Sequence, residues 1–168
     1  QLNDAWTSIS WSSIDYLGNK KALHYKLSEI YAPILLGLDI KGKDLYDVWV
    51  SNDLQRDIDG RVRIIVEDME GNQMFAFSEK ADVKANSCYR LPNKVNINTL
   101  NKKKSECYAR IIFMEEDTIL SERIHFFTYP KDLELIETEI NPNINFKDGK
   151  YYIEFTADVF VKDLCIEA

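Results

Sequence analysis

The chain has 168 residues, of which 45% are hydrophobic, and a formal net charge of −7 at pH 7. This length suits one large domain or a small domain with additional pieces, and the hydrophobic content is ordinary for a globular protein. A negative charge without a broad basic surface argues against nucleic acid or an anionic membrane as partner, and no apolar stretch approaches the roughly 18 residues of a membrane span.

The first 32 residues contain one predicted helix. A Gly-Asn pair at 18–19 supplies a start signal and Pro33 a stop signal, so residues 20–31 are predicted as helix. Upstream, frequent Ser and Thr without a helical period predict a long structured loop. The apolar residues of the helix recur at helical spacing and form one stripe, which consists of Ala22, Leu23, Leu27, Ile30 and Tyr31.

After Pro33 the hydrophobic period changes to two. In RVRIIVEDM, for example, Val62, Ile64 and Val66 fall on one face of a strand, and the other face carries Arg61, Arg63 and Glu67. Seven such runs, separated by turn sequences, predict an antiparallel β-sandwich over residues 33–128. The runs are ILLGLDI, DLYDVWVSN, RVRIIVEDM, NQMFAFSEK, SCYRLP, ECYARIIFME and ILSERIHFFTY.

A second β-rich block begins after Tyr129-Pro130. Three more strands are predicted in it, within LELIETEINPNINF, YYIEFTADVF and VKDLCIEA, and KDGK is the turn between the first two. Three strands are too few to close a sandwich of their own. Residues 129–168 are therefore predicted to be the first strands of an incomplete second sandwich.

Several kinds of catalytic and metal site find no support. The sequence has no nucleophile-elbow, phosphate-loop or dinucleotide motif. The two histidines, His24 and His125, are far apart and have no neighbouring ligand residues, so neither a metal nor a cofactor is predicted. Three cysteines, without CxxC spacing, argue against a disulfide framework.

The first six residues combine side chains that can bind a sugar. Gln1, Asn3 and Asp4 can hydrogen-bond sugar hydroxyls, and the indole of Trp6 can cover the apolar face of a pyranose ring. The same residues also suit a buried polar loop around a core tryptophan. Their chemistry alone leaves both interpretations open.

These residues begin the segment QLNDAWTSISWSSIDYLGNKKALHY, which continues into YAPILL and resembles the β-mannosidases of glycoside hydrolase family 2. In that family a WQLND-x-W segment ends the last strand of the catalytic TIM barrel. It leads through a SW-S-(I/L)-(D/E)-Y loop and an LHY helix into an immunoglobulin-like β-sandwich. YDVWVSND fits the second strand of that sandwich, and ADVFVKDLCIEA resembles the opening of the family's last β-domain. Two positions differ from the family pattern: Lys20 stands where relatives usually have Trp, and Thr7 stands where many relatives have Pro.

The resemblance implies a mainly β chain with three parts. Residues 1–32 would be the C-terminal end of a (β/α)8 catalytic barrel, and 33–128 an immunoglobulin-like antiparallel β-sandwich. Residues 129–168 would be the first strands of a second, incomplete immunoglobulin-like domain. The chain would begin inside a longer protein, whose usual compartments in this family are periplasmic, extracellular or lysosomal.

The resemblance also implies where the chemistry lies. The acid/base and nucleophile glutamates belong to earlier barrel strands, so no catalytic residue is expected in this chain. Gln1, Asn3, Asp4 and Trp6 would lie at or behind the mouth of the barrel, on its functional C-terminal rim. The parent would be a retaining exo-β-mannosidase acting on oligosaccharides with β-linked mannose. Without its barrel the chain is expected to be inactive and to self-associate.

Two alternatives remain. One is another exo-glycosidase of the same family, acting on galactose, glucuronate or glucosamine. The other is a stand-alone carbohydrate-binding or adhesive β-sandwich, which an exposed row of aromatic residues on one sheet face would favour. Against it, Tyr46, Phe75, Phe77 and Tyr108 fall in alternating strand positions that are typical of core residues.

Overall fold

The computed structural model describes residues 2–6, 10–42, 45–96, 100 and 102–164. These described residues contain one α-helix, α1 (Ala22–Ile30), and nine strands. The strands are β1 (Ile34–Gly42), β2 (Leu45–Asn52), β3 (Ile58–Asp68), β4 (Gln73–Val83), β5 (Ser87–Asn96), β6 (Cys107–Glu115), β7 (Thr118–Phe126), β8 (Asn141–Lys147) and β9 (Lys150–Thr156).

The first seven strands form two facing antiparallel sheets. One sheet has the order β1-β2-β5, and the other has the order β4-β3-β6-β7. Each of the seven runs predicted as a strand contributes one of them. The mainly β, immunoglobulin-like sandwich expected from the sequence is thereby confirmed.

The core of the sandwich follows from the two-residue period of its strands. Val62, Ile64 and Val66 on β3 are fully buried in the core, whereas Arg61 and Arg63, which point to the opposite face of the strand, are exposed. Alternate side chains of a strand point to opposite faces, so one face of each sheet supplies the core. The largest fully buried apolar side chains are Phe113, Leu36, Ile58, Ile64 and Ile111.

The four aromatic residues expected in the core behave differently from one another. Tyr46 is buried between the sheets and Phe77 packs against the core. Tyr108 is buried on the outer side of β6, where its ring centroid lies 4.1 Å from that of Phe160. Phe75 is 36% exposed because β4 is an edge strand, so its expected burial is wrong.

Helix α1 is shorter than the predicted range 20–31. The backbone at its predicted start is extended, because Lys20 pairs with Ile14 and the Lys21 N–H donates to the Ser13 carbonyl at 2.9 Å. No residue of α1 is buried. Its apolar stripe therefore faces solvent, and Tyr31, which caps its C-terminus, is 80% exposed.

The second β block contains one hairpin, formed by β8 and β9. Asp148 and Gly149 both have positive φ angles, 53° and 76°, as a two-residue type I′ turn requires. Six apolar or aromatic residues share one face of the hairpin: Pro142, Ile144, Phe146, Tyr151, Ile153 and Phe155. Residues 133–140 and 161–164 form no strand, and the end of the third predicted strand, 165–168, lies outside the described residues.

Candidate functional site

The N-terminal segment that carries the predicted sugar-site residues folds back on itself. Asn3 pairs with Ile14 in parallel, and Ile14 pairs with Lys20 in antiparallel orientation. The Asp4 N–H donates to the Ile14 carbonyl at 3.2 Å, and the Ile14 N–H donates to the Leu2 carbonyl at 2.9 Å. Three short extended stretches therefore lie side by side, and they hold the side chain of Asp4 in one place.

Asp4 is the centre of a polar cluster. Its side chain is only 3% exposed, and its Oδ2 atom lies 2.9 Å from the Nζ atom of Lys21. Ser10 donates its hydroxyl hydrogen to Oδ1 of Asp4. Lys21 also donates to Oγ of Ser12 at 2.8 Å, and the Ser12 N–H donates to Oγ of Ser10 at 3.1 Å. A carboxylate this far from solvent is stabilised by such donors.

These donors determine the ionisation of Asp4. The hydrogen bond from Ser10, followed by that from Lys21, lowers the pKa of the Asp4 carboxyl group from 3.8 to about 2. Asp4 is therefore a carboxylate at neutral and at mildly acidic pH. It can accept hydrogen bonds and orient a neighbouring group, but it has no proton to donate.

The other predicted residues differ in their placement. Trp6 is 71% exposed and Asn3 is also exposed, so neither packs into a core around the cluster. Gln1 lies outside the described residues. Trp11, which follows in the same segment, is 90% exposed. The structure thus brings Asn3 and Asp4 into one folded segment and leaves two indole rings on its surface.

The partners of Asp4 were missed in the sequence. Lys21 follows Asp4 by 17 positions and belongs to the basic pair before α1. Nothing in the sequence of that pair indicates an ion pair with Asp4. In the sequence, Ser10 and Ser12 indicate only a loop. Their alternate spacing after Asp4 is a weak hint, since hydroxyl groups can donate hydrogen bonds to a carboxylate.

Within the described ranges, no group of three or more His, Cys, Asp or Glu side chains is placed to hold a metal ion. Nor does that part of the chain contain a helix of the length and hydrophobicity required to cross a membrane.

Sequence comparison relates nearly the whole chain to β-mannosidases. Over 176 aligned residues the chain is 26% identical to "Beta-mannosidase A" of Aspergillus oryzae. The alignment covers 95% of this chain and 19% of that protein. The chain is 42% identical over 57 residues to "Beta-mannosidase" of Capra hircus, covering 34% of this chain and 6% of the relative. The chain thus spans about a fifth of the length of the Aspergillus relative.

Solved structures share the fold. The β-D-mannosidase from Dictyoglomus thermophilum superposes with a TM-score of 0.77 at 19% identity, over 94% of this chain and 19% of that one. The exo-chitosanase CsxA of Amycolatopsis orientalis superposes with a TM-score of 0.64 at 13% identity, over 85% of this chain and 19% of that one. At these identities the superpositions establish the common fold.

The fold and these similarities place the sandwich of this chain in the class of immunoglobulin-like β-sandwich modules found in glycosidases. The sequence pattern of one domain family, described as the Mannosidase Ig/CBM-like domain, matches residues 44–132, which is more than half of the chain. The chain belongs to this family. The resemblance to the β-mannosidases of glycoside hydrolase family 2 is confirmed.

Proposed function

We propose that this chain is the C-terminal part of a retaining exo-β-mannosidase, which removes terminal β-linked mannose from oligosaccharides. The observation that carries the proposal is the alignment with a β-mannosidase over 95% of the chain, which extends well beyond the sandwich that the domain family covers. An isolated sandwich of the same family would have no reason to resemble β-mannosidases in the segments before and after residues 44–132.

In this proposal the three parts of the chain have different roles. Residues 1–32 complete the catalytic barrel, residues 33–128 brace it, and residues 129–168 begin a second β-domain. Exposed apolar side chains on α1 and on the β8–β9 hairpin support these roles, because each such face gains stability when another part of the protein covers it.

The chemistry in this proposal belongs to two carboxylates outside the chain. In a retaining glycosidase they stand about 5–5.5 Å apart, one attacking the anomeric carbon and the other protonating the leaving oxygen. Within this chain, Asn3, Asp4 and Trp6 contribute to the barrel rim, together with Gln1. Asp4, held ionised by Lys21 and Ser10, positions the rim segment beside the sugar.

The experiment compares four aryl β-glycosides as substrates of the full-length parent: the mannoside, galactoside, glucuronide and glucosaminide. The proposal expects the highest kcat/KM for the mannoside and no release of aglycone by the 168-residue chain alone. A preference for one of the other three sugars would assign the parent to a different exo-glycosidase. Turnover by the pure chain would contradict the placement of both carboxylates outside it.

A further inference from the structure

The outer face of the three-stranded sheet carries an aromatic residue at its centre. Val48 and Val50 on β2 are fully buried in the core, so Trp49 between them points to the opposite face of the sheet. On that face Trp49 has Gly37 of β1 as its cross-strand partner on one side and Arg90 of β5 on the other. The three residues form one row across the sheet.

The indole of Trp49 lies across the backbone of Gly37. A Cβ atom at position 37 would lie 2.1 Å from Cζ2 and 2.3 Å from Cε2 of the ring, closer than any side chain permits. Glycine at this position is therefore what allows the ring to rest on the sheet. Trp49 is half-buried as a result, with one ring face against the strand.

Two charged side chains flank the ring. The Trp49 Nε1–H donates to Oδ1 of Asp39 at 3.1 Å, and Arg90 donates from Nη1 to Oδ2 of the same carboxylate at 2.8 Å. The side chains of Arg90 and Asp39 are 52% and 37% exposed. A guanidinium group has five N–H donors in a planar fork, and the Nη1 bond to Asp39 uses one of them.

We propose that Trp49, Asp39 and Arg90 form a binding site for a neutral pyranoside on the sandwich itself. The apolar face of the sugar ring lies on the indole, and its hydroxyls bond to the carboxylate and the guanidinium group. The two charges offset each other, which favours a neutral sugar over an acidic one. A nucleobase would also stack on an indole, but the chain's net charge of −7 disfavours a nucleic acid. This site does not depend on the function proposed above.

The test is a titration of the ¹⁵N-labelled chain with β-1,4-mannobiose and with cellobiose. Binding is monitored by the indole N–H signals in NMR spectra. The sequence has three tryptophans, so Trp6 and Trp11, both highly exposed, act as internal controls for non-specific stacking. We expect a saturable shift of the Trp49 signal and of the Gly37 amide with at least one sugar. Absence of a saturable shift up to the solubility limit of both sugars would overturn the proposal, as would shifts confined to Trp6 and Trp11.

Two pairs of variants distinguish a row that binds sugar from a row that only stabilises the sheet. Trp49→Ala should weaken binding by about tenfold or more, and Trp11→Ala should leave it unchanged. Because Trp49→Ala removes a packed ring, Arg90→Gln provides a second variant on an exposed side chain, with Lys80→Gln on the other sheet as its control. Arg90→Gln should weaken binding while Lys80→Gln does not. Equal affinities in these two variants would mean that the row only braces the sheet.

Discussion

The Nζ atom of Lys21 lies 2.9 Å from Oδ2 of Asp4, and the two residues are 17 positions apart in the sequence. The ion pair joins the first extended stretch of the chain to the residue that precedes α1. Asp4 is almost completely shielded from water, whereas Lys21 is one-third exposed. Backbone hydrogen bonds such as that from the Ile14 N–H to the Leu2 carbonyl hold the segment independently of this ion pair. Because Lys21 is partly exposed, its ammonium group stays solvated when Asp4 loses its charge, so the pair fixes the position of the two side chains more than it stabilises the fold.

Asp4→Asn in the full-length parent should lower kcat/KM while the melting temperature barely moves. The amide keeps the size of the side chain and one acceptor oxygen, but it removes the charge that pairs with Lys21 and positions the Asp4 side chain in the N-terminal segment. The measurement is steady-state hydrolysis of an aryl β-mannoside alongside thermal unfolding.

Glu29→Gln is the matched control, because it removes an exposed carboxylate on α1 in the same segment. It should leave both kcat/KM and melting temperature unchanged. If Asp4→Asn instead lowers the melting temperature and leaves the kinetics per folded molecule unchanged, Asp4 acts only as a structural salt bridge.

The sandwich could be predicted because its signals are local. Val62, Ile64 and Val66 recur at every second position of β3, and turn sequences separate the runs, so each strand can be recognised in its own sequence. The helix start could not be placed as well. Lys20 and Lys21 are locally compatible with helix, but their backbone bonds to Ile14 and Ser13 keep them extended.

The candidate sites depend on contacts between distant residues. The period of β2 predicts only that Trp49 leaves the core, whereas its position across Gly37 depends on strand register. In the same way the Ser10 and Lys21 contacts of Asp4 arise from the fold of the segment. Residue types at the N-terminus could suggest a sugar site, but their spacing in the sequence does not determine which groups meet.

Gly37→Ala should destabilise the chain by about 1–3 kcal/mol, the usual range for a group inserted where no space exists. The added methyl group would overlap the indole of Trp49 and force it from the sheet. The midpoint and slope of urea unfolding measure this change.

The matched experiment repeats Gly37→Ala in a Trp49→Leu background. The smaller leucine leaves space for the methyl group, so Gly37→Ala should lower the free energy of unfolding by less in this background. The difference between the two backgrounds is the coupling free energy between positions 37 and 49. Equal costs in the two backgrounds would contradict the contact between Gly37 and Trp49.

His125 should make the chain less stable in mild acid. Its ring packs against Tyr46 and Phe127, with ring centroids 5.6 Å and 5.5 Å away. Burial, followed by the charge of Arg123, lowers the pKa of His125 from 6.5 to about 4. Between these pH values the unfolded chain binds a proton that the folded chain does not. The free energy of unfolding therefore falls as pH is lowered from 6.5 to 4, by about 3 kcal/mol in total.

The measurement is a series of urea unfolding curves across this pH window, and the comparison variant is His125→Phe. Phenylalanine keeps an aromatic ring beside Tyr46 and cannot be protonated, so this part of the pH dependence should disappear. The Asp4 carboxylate acts in a lower window, because stability from its depressed pKa is lost only below about 3.8. Identical pH slopes for the two proteins would exclude His125 as the source.

Amide exchange should be slowest in the two central strands of the larger sheet. β3 lies between β4 and β6, and β6 lies between β3 and β7, so their backbone groups pair on both sides. We expect slow exchange within RVRIIVEDM and ECYARIIFME and fast exchange before Ala32 and after Pro130. In those two end regions α1 buries no residue and β8 is exposed along its whole length.

The same measurement needs a dilute sample, because both ends expose apolar side chains that favour self-association. Sedimentation at several concentrations provides the control, and protection of α1 and of β8–β9 should increase as the chain associates. Uniform protection over the whole chain in a dilute monomer would contradict the boundaries at Ala32 and Pro130.

The stereochemistry of hydrolysis by the full-length parent tests the proposed assignment as a retaining exo-β-mannosidase. Proton NMR spectra recorded during cleavage of 4-nitrophenyl β-D-mannopyranoside identify the anomer of mannose that forms first. A retaining β-mannosidase releases β-mannopyranose, which only later equilibrates with the α anomer. Initial release of the α anomer, or no release of mannose by a correctly folded parent, would contradict the account.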